Sequence, residues 1–287
     1  MKIQRMLFIL LLILSCIPLG GHAECRYKLD LDAPFAISAD LSVVKVAEGV
    51  VMAVHTFPWG ANSLAIEIID SEIVLVDTPY TYEATKELVE WIRGLAGTQI
   101  KLSAINTGFH FDNLGGNKYL AEQGIPIYGT SKTADMIQKR GEKSRNWFLQ
   151  SLQAPKDKKY HDAFQDLAYV QPTEVFDLNA GEEKKLSFGS ESLILYYPGE
   201  SHSPDNITVY YPGKKILFGG CMVKESSSAN LGNTDDANLA QWPVSIERLM
   251  ARYNETNVKL VIPGHGKAGD IRLLDKTLEL CKKQAGN

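Results

Sequence analysis

Four apolar runs in this chain end in the same way. Ile100 to Ile105 leads into Gly108-Phe109-His110-Phe111-Asp112-Asn113-Leu114-Gly115-Gly116, and a β-rich run at Leu193 to Tyr197 leads into Pro198-Gly199-Glu200-Ser201-His202-Ser203-Pro204-Asp205-Asn206. Lys215 to Phe218 runs into Gly219-Gly220-Cys221, and Val258 to Ile262 into Pro263-Gly264-His265-Gly266. Each run is short and mostly apolar, so each reads as a buried strand. A lone loop histidine is usually an ordinary hydrogen-bonding residue. Three at equivalent strand ends, with a cysteine ending a fourth strand, point instead to one site on loops held by a rigid sheet.

The ligand types suit zinc. Imidazole, thiolate and carboxylate all bind it, and three protein ligands plus water mark a catalytic rather than a structural site. In an extended segment residues 108, 110 and 112 point the same way. His110 and Asp112 are therefore expected on one side of a strand end, with Gly115-Gly116 admitting close backbone approach. One more ligand is expected at position 108, and that residue is Gly108. The chain has no Cys-x-x-Cys pair, which argues against a zinc finger or a thioredoxin-like redox role. His55 and His161 read as a strand-end and a surface residue. Asp77 ends an apolar run and is expected to support a ligand rather than to be one. Trp59 and Trp147 read as packing residues, one of them a candidate for lining a cleft. Lys224, three residues after Cys221, is suited to gripping a substrate anion.

The rest of the chain supplies the scaffold. Strands are expected at Leu41 to Val46, Val50 to Phe57, Ser63 to Ile69 and Ile73 to Val76, then a helix from Thr81 to Leu95 with Thr81 as N-cap and Gly97 as stop. A short helix from Gly116 to Glu122 and a strand from Ile125 to Gly129 follow. Ser131 to Leu152 reads as one long helix containing Gly141, and Pro155 to Lys159 as a charged break. Strands return at Val175 to Leu178, Lys184 to Phe188, Leu193 to Tyr197, Ile207 to Tyr211 and Lys215 to Phe218. Helices at Val244 to Tyr253 and Ile271 to Lys283 flank the strand Val258 to Ile262. Each half has strands first, then strands alternating with helices. Two such halves pack sheet against sheet with helices outside, an αββα sandwich of the α/β class.

The first segment is read apart from the fold. Lys2 and Arg5 precede an apolar stretch from Met6 to Ile17, and Gly21-His22-Ala23 ends it, as in a secretory signal peptide over residues 1–23. The mature domain is then 24–287, exported to the periplasm and with no other membrane segment. A weaker rival is lipoprotein processing at Cys16. Losing Lys2 and Arg5 takes the formal net charge from −4 to −6, and a mildly acidic chain without a basic cluster is a poor nucleic-acid binder. Cys25, Cys221 and Cys281 remain, an odd count in an oxidising compartment. A metal thiolate at Cys221 resolves it, and Cys25 and Cys281 are candidates to pair.

From about residue 41 to the C-terminus the chain resembles the metallo-β-lactamases. The resemblance rests on Gly-x-His-x-Asp at 108 to 112, Gly115-Gly116, His202-Ser203-Pro204-Asp205-Asn206, Gly220-Cys221-Met222-Val223-Lys224, Leu231-Gly232-Asn233 and Pro263-Gly264-His265. Cys221, Lys224 and Asn233 together belong to the branch with a cysteine ligand. The resemblance implies a primary zinc at Asp112, Cys221 and His265. The family's three-histidine site keeps only His110 and His202, so a second zinc is expected to be weak or absent. The mono-zinc carbapenem-hydrolysing subclass also lacks the first histidine but carries Asn there. The short loop Phe57 to Gly60 and the long helix through Trp147 resemble that subclass, whereas Gly220 to Asn238 resembles the di-zinc one.

The implied activity is hydrolysis of the β-lactam amide of antibiotics, carbapenems included, by a monomer. Zinc acts as Lewis acid at the leaving nitrogen. The attacking water is activated either by metal, its pKa lowered toward about 7, or by a general base, Asp112 or His110 and His202. Gly108 favours the second route at low zinc. Lys224 pairs with the substrate carboxylate, and Asn233 polarises the lactam carbonyl. Two rivals stand beside this reading. A thioesterase of the same fold uses a second histidine-rich ligand run and usually has His where this chain has Asn113. A degenerate zinc-binding periplasmic protein would explain Gly108, but not the retained Asp–Cys–His set.

Overall fold

The computed structural model describes residues 27–69, 71–165 and 167–285. The signal peptide, the processing site at Cys16 and the pairing of Cys25 with Cys281 fall outside the described residues.

The first half builds strands β1 (Phe35–Ala36), β2 (Leu41–Ala47), β3 (Val50–Thr56), β4 (Gly60–Ile68) and β5 (Glu72–Val76), then helix α1 (Tyr82–Ala96) and strand β6 (Lys101–Ile105). Helices α2 (Phe111–Leu114) and α3 (Asn117–Glu122) lead to β7 (Ile127–Thr130), and α4 (Ser131–Ser151) and α5 (Lys158–Gln165) lead to β8 (Glu174–Phe176). The second half contains β9 (Glu183–Phe188), β10 (Glu191–Tyr196), β11 (Thr208–Tyr211), β12 (Ile216–Gly220), α6 (Trp242–Arg252), β13 (Leu260–Pro263) and α7 (Arg272–Ala285). The strands form two sheets, β1 to β8 in sequence order and β13-β12-β11-β10-β9. β1 to β5 pair antiparallel and β5 to β8 parallel, while β12 and β13 are the parallel pair of the second sheet. The αββα expectation holds.

Three apolar layers hold the sandwich. Between the sheets, Leu64, Ile66, Val74, Val76 and Ile105 meet Leu193, Leu195, Val209, Phe218 and Ile262. Outside the first sheet, Leu88, Val89 and Ile92 of α1 and Leu120 of α3 pack on Val51, Ala65 and Leu75. Outside the second, Ile246 and Leu249 of α6 and Leu274 of α7 pack on Leu217 and Val261. Ile105 is fully buried, so Ile105→Ala would cost about 2–5 kcal/mol. α1 starts where expected, because Thr81 Oγ1 accepts the Ala84 N–H at 3.2 Å, and stops at Gly97, whose φ is 95°.

Two expectations fail locally. Residues 108 to 112 are not an extended segment: the chain turns at His110 and makes the helical turn α2, with Asn113 N donating to His110 O at 2.9 Å and Gly115 N to Phe111 O at 2.8 Å. The cause is burial. Phe109 packs with Leu114 and Ile137, whereas Phe111 packs with Tyr80, Phe148 and Phe164. A straight strand would send both rings to one face. The charged stretch after Pro155 is likewise not a plain break. It forms a 3-10 turn and then α5, because Phe164 has the aromatic cluster to bury against. The Gly pair behaves as read: a Cβ on Gly115 would stand 2.0 Å from the Tyr80 carbonyl oxygen, and one on Gly116 equally close to Thr85 Oγ1.

Candidate metal centre

The carboxyl ends of the parallel strands define the site. α2 follows β6, Cys221 follows β12, and His265 follows β13. Gly220 and Pro263 are paired neighbours in the second sheet, which sets Cys221 beside His265. A Cβ on Gly264 would lie 2.9 Å from Cys221 Sγ, so only glycine lets the His265 loop come this close. Asn62 of β4 anchors that loop from the other sheet. Its N–H donates to the Gly264 carbonyl at 2.8 Å, and its Nδ2 donates to the Pro263 and Gly266 carbonyls at 2.9 and 2.8 Å.

Asp112, Cys221 and His265 come together as the sequence suggests, with ligand atoms within 4.8 Å of one another. Asp112 Oδ2 lies 3.0 Å from Cys221 Sγ and 2.9 Å from His265 Nε2. His265 Nδ1 donates to the Gly60 carbonyl at 2.7 Å, which holds the ring with Nε2 aimed at the other two groups. One oxygen, one sulfur and one nitrogen thus converge, a donor set that fits zinc. Burial and the neighbouring Asp112 charge push the Cys221 thiol well above its usual range. Burial also works to raise the Asp112 carboxyl, but the hydrogen bond and charge of His265 outweigh it and hold it below the carboxylate range. A cation bound to the sulfur would reverse this, favouring the thiolate and releasing the proton to solvent.

Asp77 is a support, as expected. It is buried at φ 59°, a strained left-handed position for a non-glycine residue. Its carboxylate accepts the Thr107 N–H at 2.7 Å, the Thr107 hydroxyl at 2.6 Å and Asn113 Nδ2 at 2.9 Å. It thereby fixes the turn that carries His110 and Asp112.

His110 and His202 form the second group, ring centroids 5.1 Å apart. His110 Nε2 lies 3.0 Å from Asp236 Oδ2, and Arg140 pairs with the other oxygen of that carboxylate. Burial works against the His110 imidazolium, but the Asp236 hydrogen bond and the charges of Asp112, Asp236 and Asp205 win and raise its pKa. The buried His202 ring is pulled the other way, by desolvation and then by Lys224. Its Nδ1 has no hydrogen-bond partner. At Gly108 the backbone is not left-handed. The space a side chain would need is taken instead: a Cβ would meet Asn206 Nδ2 at 2.5 Å and Asn113 Oδ1 at 3.0 Å.

Asp112 and His265 of the first group and His110 and His202 of the second line a cavity of about 870 Å³, while Cys221 is buried and does not line it. Trp59, Tyr80, Trp147 and Phe148 give it an apolar lining, and Lys224 and Asn233 line it too. Both tryptophans line it, where packing was the expectation and one of them a candidate for the cleft. Lys224 Nζ sits 5.3 Å above the Trp242 ring. Asn233 Oδ1 accepts the Asp235 N–H at 3.1 Å. His55 accepts the Tyr80 N–H on Nδ1 at 3.1 Å, and His161 lies outside the cavity beside Asp162 at 3.6 Å.

Asn62, Arg140 and Asp236 were not singled out from the sequence. Asn62 left a faint signal, a polar residue within an otherwise apolar strand. The Arg140–Asp236 contact joins distant segments and left none.

The family model of the Metallo-beta-lactamase superfamily matches residues 56–265. A protein of Bacillus cereus named metallo-beta-lactamase type 2 is 36% identical over 210 residues, 73% of this chain and 69% of that protein. A protein of the same name from Pseudomonas aeruginosa is 32% identical over 260 residues, 88% of this chain and 89% of that one. The crystal structure of VMB-1 superposes with a TM-score of 0.69 at 31% identity, covering 86% of this chain and 99% of the other. A metallo-beta-lactamase from Pontibacter korlensis gives 0.69 and 31%, covering 85% and 100%. The matched stretch contains both sheets' parallel strand ends and runs to His265 itself, and the chain belongs to the metallo-beta-lactamase superfamily of zinc-dependent hydrolases.

Proposed function

We propose that this protein is an exported zinc-dependent enzyme that opens the β-lactam ring of antibiotics, carbapenems included, and so confers resistance. The observation that carries the reading is the convergence of Asp112, Cys221 and His265, two of which, Asp112 and His265, line a cavity that also presents Lys224. In this reading residues 1–23 direct export, and 24–287 work in the periplasm as a monomer.

Asp112, Cys221 and His265 would hold the zinc ion, with His110 and His202 offering a weaker second place. Zinc bound there supplies Lewis acidity toward the lactam nitrogen. The remaining work falls to the chain. Lys224 pairs with the substrate carboxylate, and its site above Trp242 keeps the ammonium in place. Asn233 sits on the rim to polarise the lactam carbonyl. The wall of Trp59, Trp147 and Phe148 excludes water from one side of the ring. His110, Asp112 and His202 all line the cavity and are the groups placed to take a proton from the attacking water.

The test is turnover of a carbapenem, a penicillin and a thioester, with and without a chelator. Chelator-sensitive lactam opening with no thioester cleavage is expected. Thioester cleavage alone, or no turnover of any of the three, would overturn the reading. Lys224→Ala should raise KM about tenfold or more and change kcat little, as uniform binding loss does.

A further inference from the structure

Helix α4 does more than wall the cleft. Its Arg140 also binds the segment that precedes α6. Arg140 donates to the Asp235 carbonyl at 3.3 Å and pairs with Asp236 through Oδ1. Asp236 Oδ2 faces His110 Nε2 at 3.0 Å. One carboxylate therefore joins a guanidinium on α4 to an imidazole on the cleft floor. The Asp236 side chain is only 9% exposed and that of His110 likewise, while Arg140 is at 33%. This is a largely desolvated chain, not a surface ion pair.

The chain matters because of what is missing nearby. Gly108 brings no side chain to the floor, and the His202 ring makes no hydrogen bond among the described residues. The orientation of His110 rests on Asp236. An ionised carboxylate only accepts, so the hydrogen it receives must sit on Nε2, which leaves the lone pair of the neutral ring on Nδ1. Asp236 can hold that arrangement only if it is itself held, and the group that holds it is Arg140. One guanidinium nitrogen, Nη2, makes both contacts, to the Asp235 carbonyl and the Asp236 carboxylate, and the planar group that carries it is stiffer than the flexible stem of an ammonium.

We propose that Arg140 is a positioning residue: by clamping Asp236 it keeps His110 in one orientation and one tautomer, and so couples the long helix of the cleft wall to the chemistry on its floor. Arg140 itself does not line the cavity, so it acts through Asp236 and not on the substrate. The catalytic part of this inference rests on the lactamase reading above. The ring orientation does not.

The test uses zinc-loaded, nitrogen-15-labelled protein and reads the His110 ring by long-range proton–nitrogen correlation, in wild type, Arg140→Met and Arg140→Lys. The wild type should show the hydrogen on Nε2. Arg140→Met should show mixed or averaged tautomers, and Arg140→Lys a partial return. In parallel, kcat of Arg140→Met should fall by about 10–100-fold, the usual loss when support of a site histidine goes, with KM within about twofold. An unchanged His110 spectrum in folded Arg140→Met would overturn the proposal, as would a KM effect without a kcat effect. If Arg140→Met does not fold, Arg140→Lys carries the test, and a spectrum and kcat equal to wild type would overturn it. Absence of lactam turnover in the wild type would sink the functional reading alone, since the ring readout needs no substrate.

Discussion

The floor of the cleft has two halves made of similar residue types and held in different ways. In the Asp112–Cys221–His265 half, three ligand atoms already converge, and the groups around them are braced: His265 by the Gly60 carbonyl, its loop by Asn62, and the turn bearing Asp112 by Asp77. In the His110–His202 half, one imidazole is hydrogen-bonded to Asp236, the other packs on Trp242 without a hydrogen bond among the described residues, and the third place is filled by Asn206 and Asn113. Convergence and bracing make a metal site. Residue type alone does not, because a ligand set that must be ordered on binding loses the entropy of ordering.

The largest expected effect comes from breaking the converged half. Cys221→Ala should abolish zinc retention and lactam turnover together, by more than the roughly 10–100-fold that a supporting hydrogen bond costs. Metal content by elemental analysis, with turnover in the same preparation, checks this. Full activity with unchanged zinc would remove Cys221 from the site.

Asn62→Ala attacks the bracing and leaves the ligands in place. It removes both side-chain bonds to the Pro263 and Gly266 carbonyls and leaves the buried Pro263 carbonyl unpaired, at about 1–3 kcal/mol, while the exposed Gly266 can turn to water. Zinc affinity should drop by about 10–100-fold. A competitive chelator titration beside thermal unfolding measures both. A loss of stability with wild-type zinc affinity would show that the loop needs no anchor to place His265.

How far the sequence carried the argument depends on the range of each interaction. α1, α4 and the strand ends were legible because local pattern and caps specify them. The strand ends made His110, His202, Cys221 and His265 legible as one site, because strands order their ends, whereas the grouping of Asp112 with Cys221 and His265 came from the family resemblance. The turn at Phe111–Leu114 was not, since it answers to where Phe109 and Phe111 find partners. Gly108 was visible as a gap, but its filling by Asn206 and Asn113 was not, and neither was the Arg140–Asp236 clamp. These depend on side chains meeting across the sandwich.

A smaller effect separates the pH response of the fold from that of the site. His55 is buried, and burial pulls its pKa down to about 4 from the ordinary 6.5. Below pH 6.5 the unfolded chain takes up the proton while the folded one does not. This histidine therefore contributes stability that is intact above pH 6.5 and is lost as pH falls toward about 4, roughly 3 kcal/mol in all. His55→Asn, which can still accept the Tyr80 N–H, should flatten the stability profile across that window and leave zinc content at pH 7 untouched. Parallel profiles for the two proteins would show that the acid sensitivity arises elsewhere.

Zinc stoichiometry after exhaustive dialysis tests the inequality of the two halves most directly, in wild type, Gly108→His and Gly108→His combined with Asn206→Ser. One tightly held ion is predicted in the wild type. Gly108→His alone should still hold one, because its Cβ would meet Asn206 Nδ2 at 2.5 Å; the double variant, with that space cleared, should gain affinity for a second. Two tightly held ions in the wild type would contradict the account.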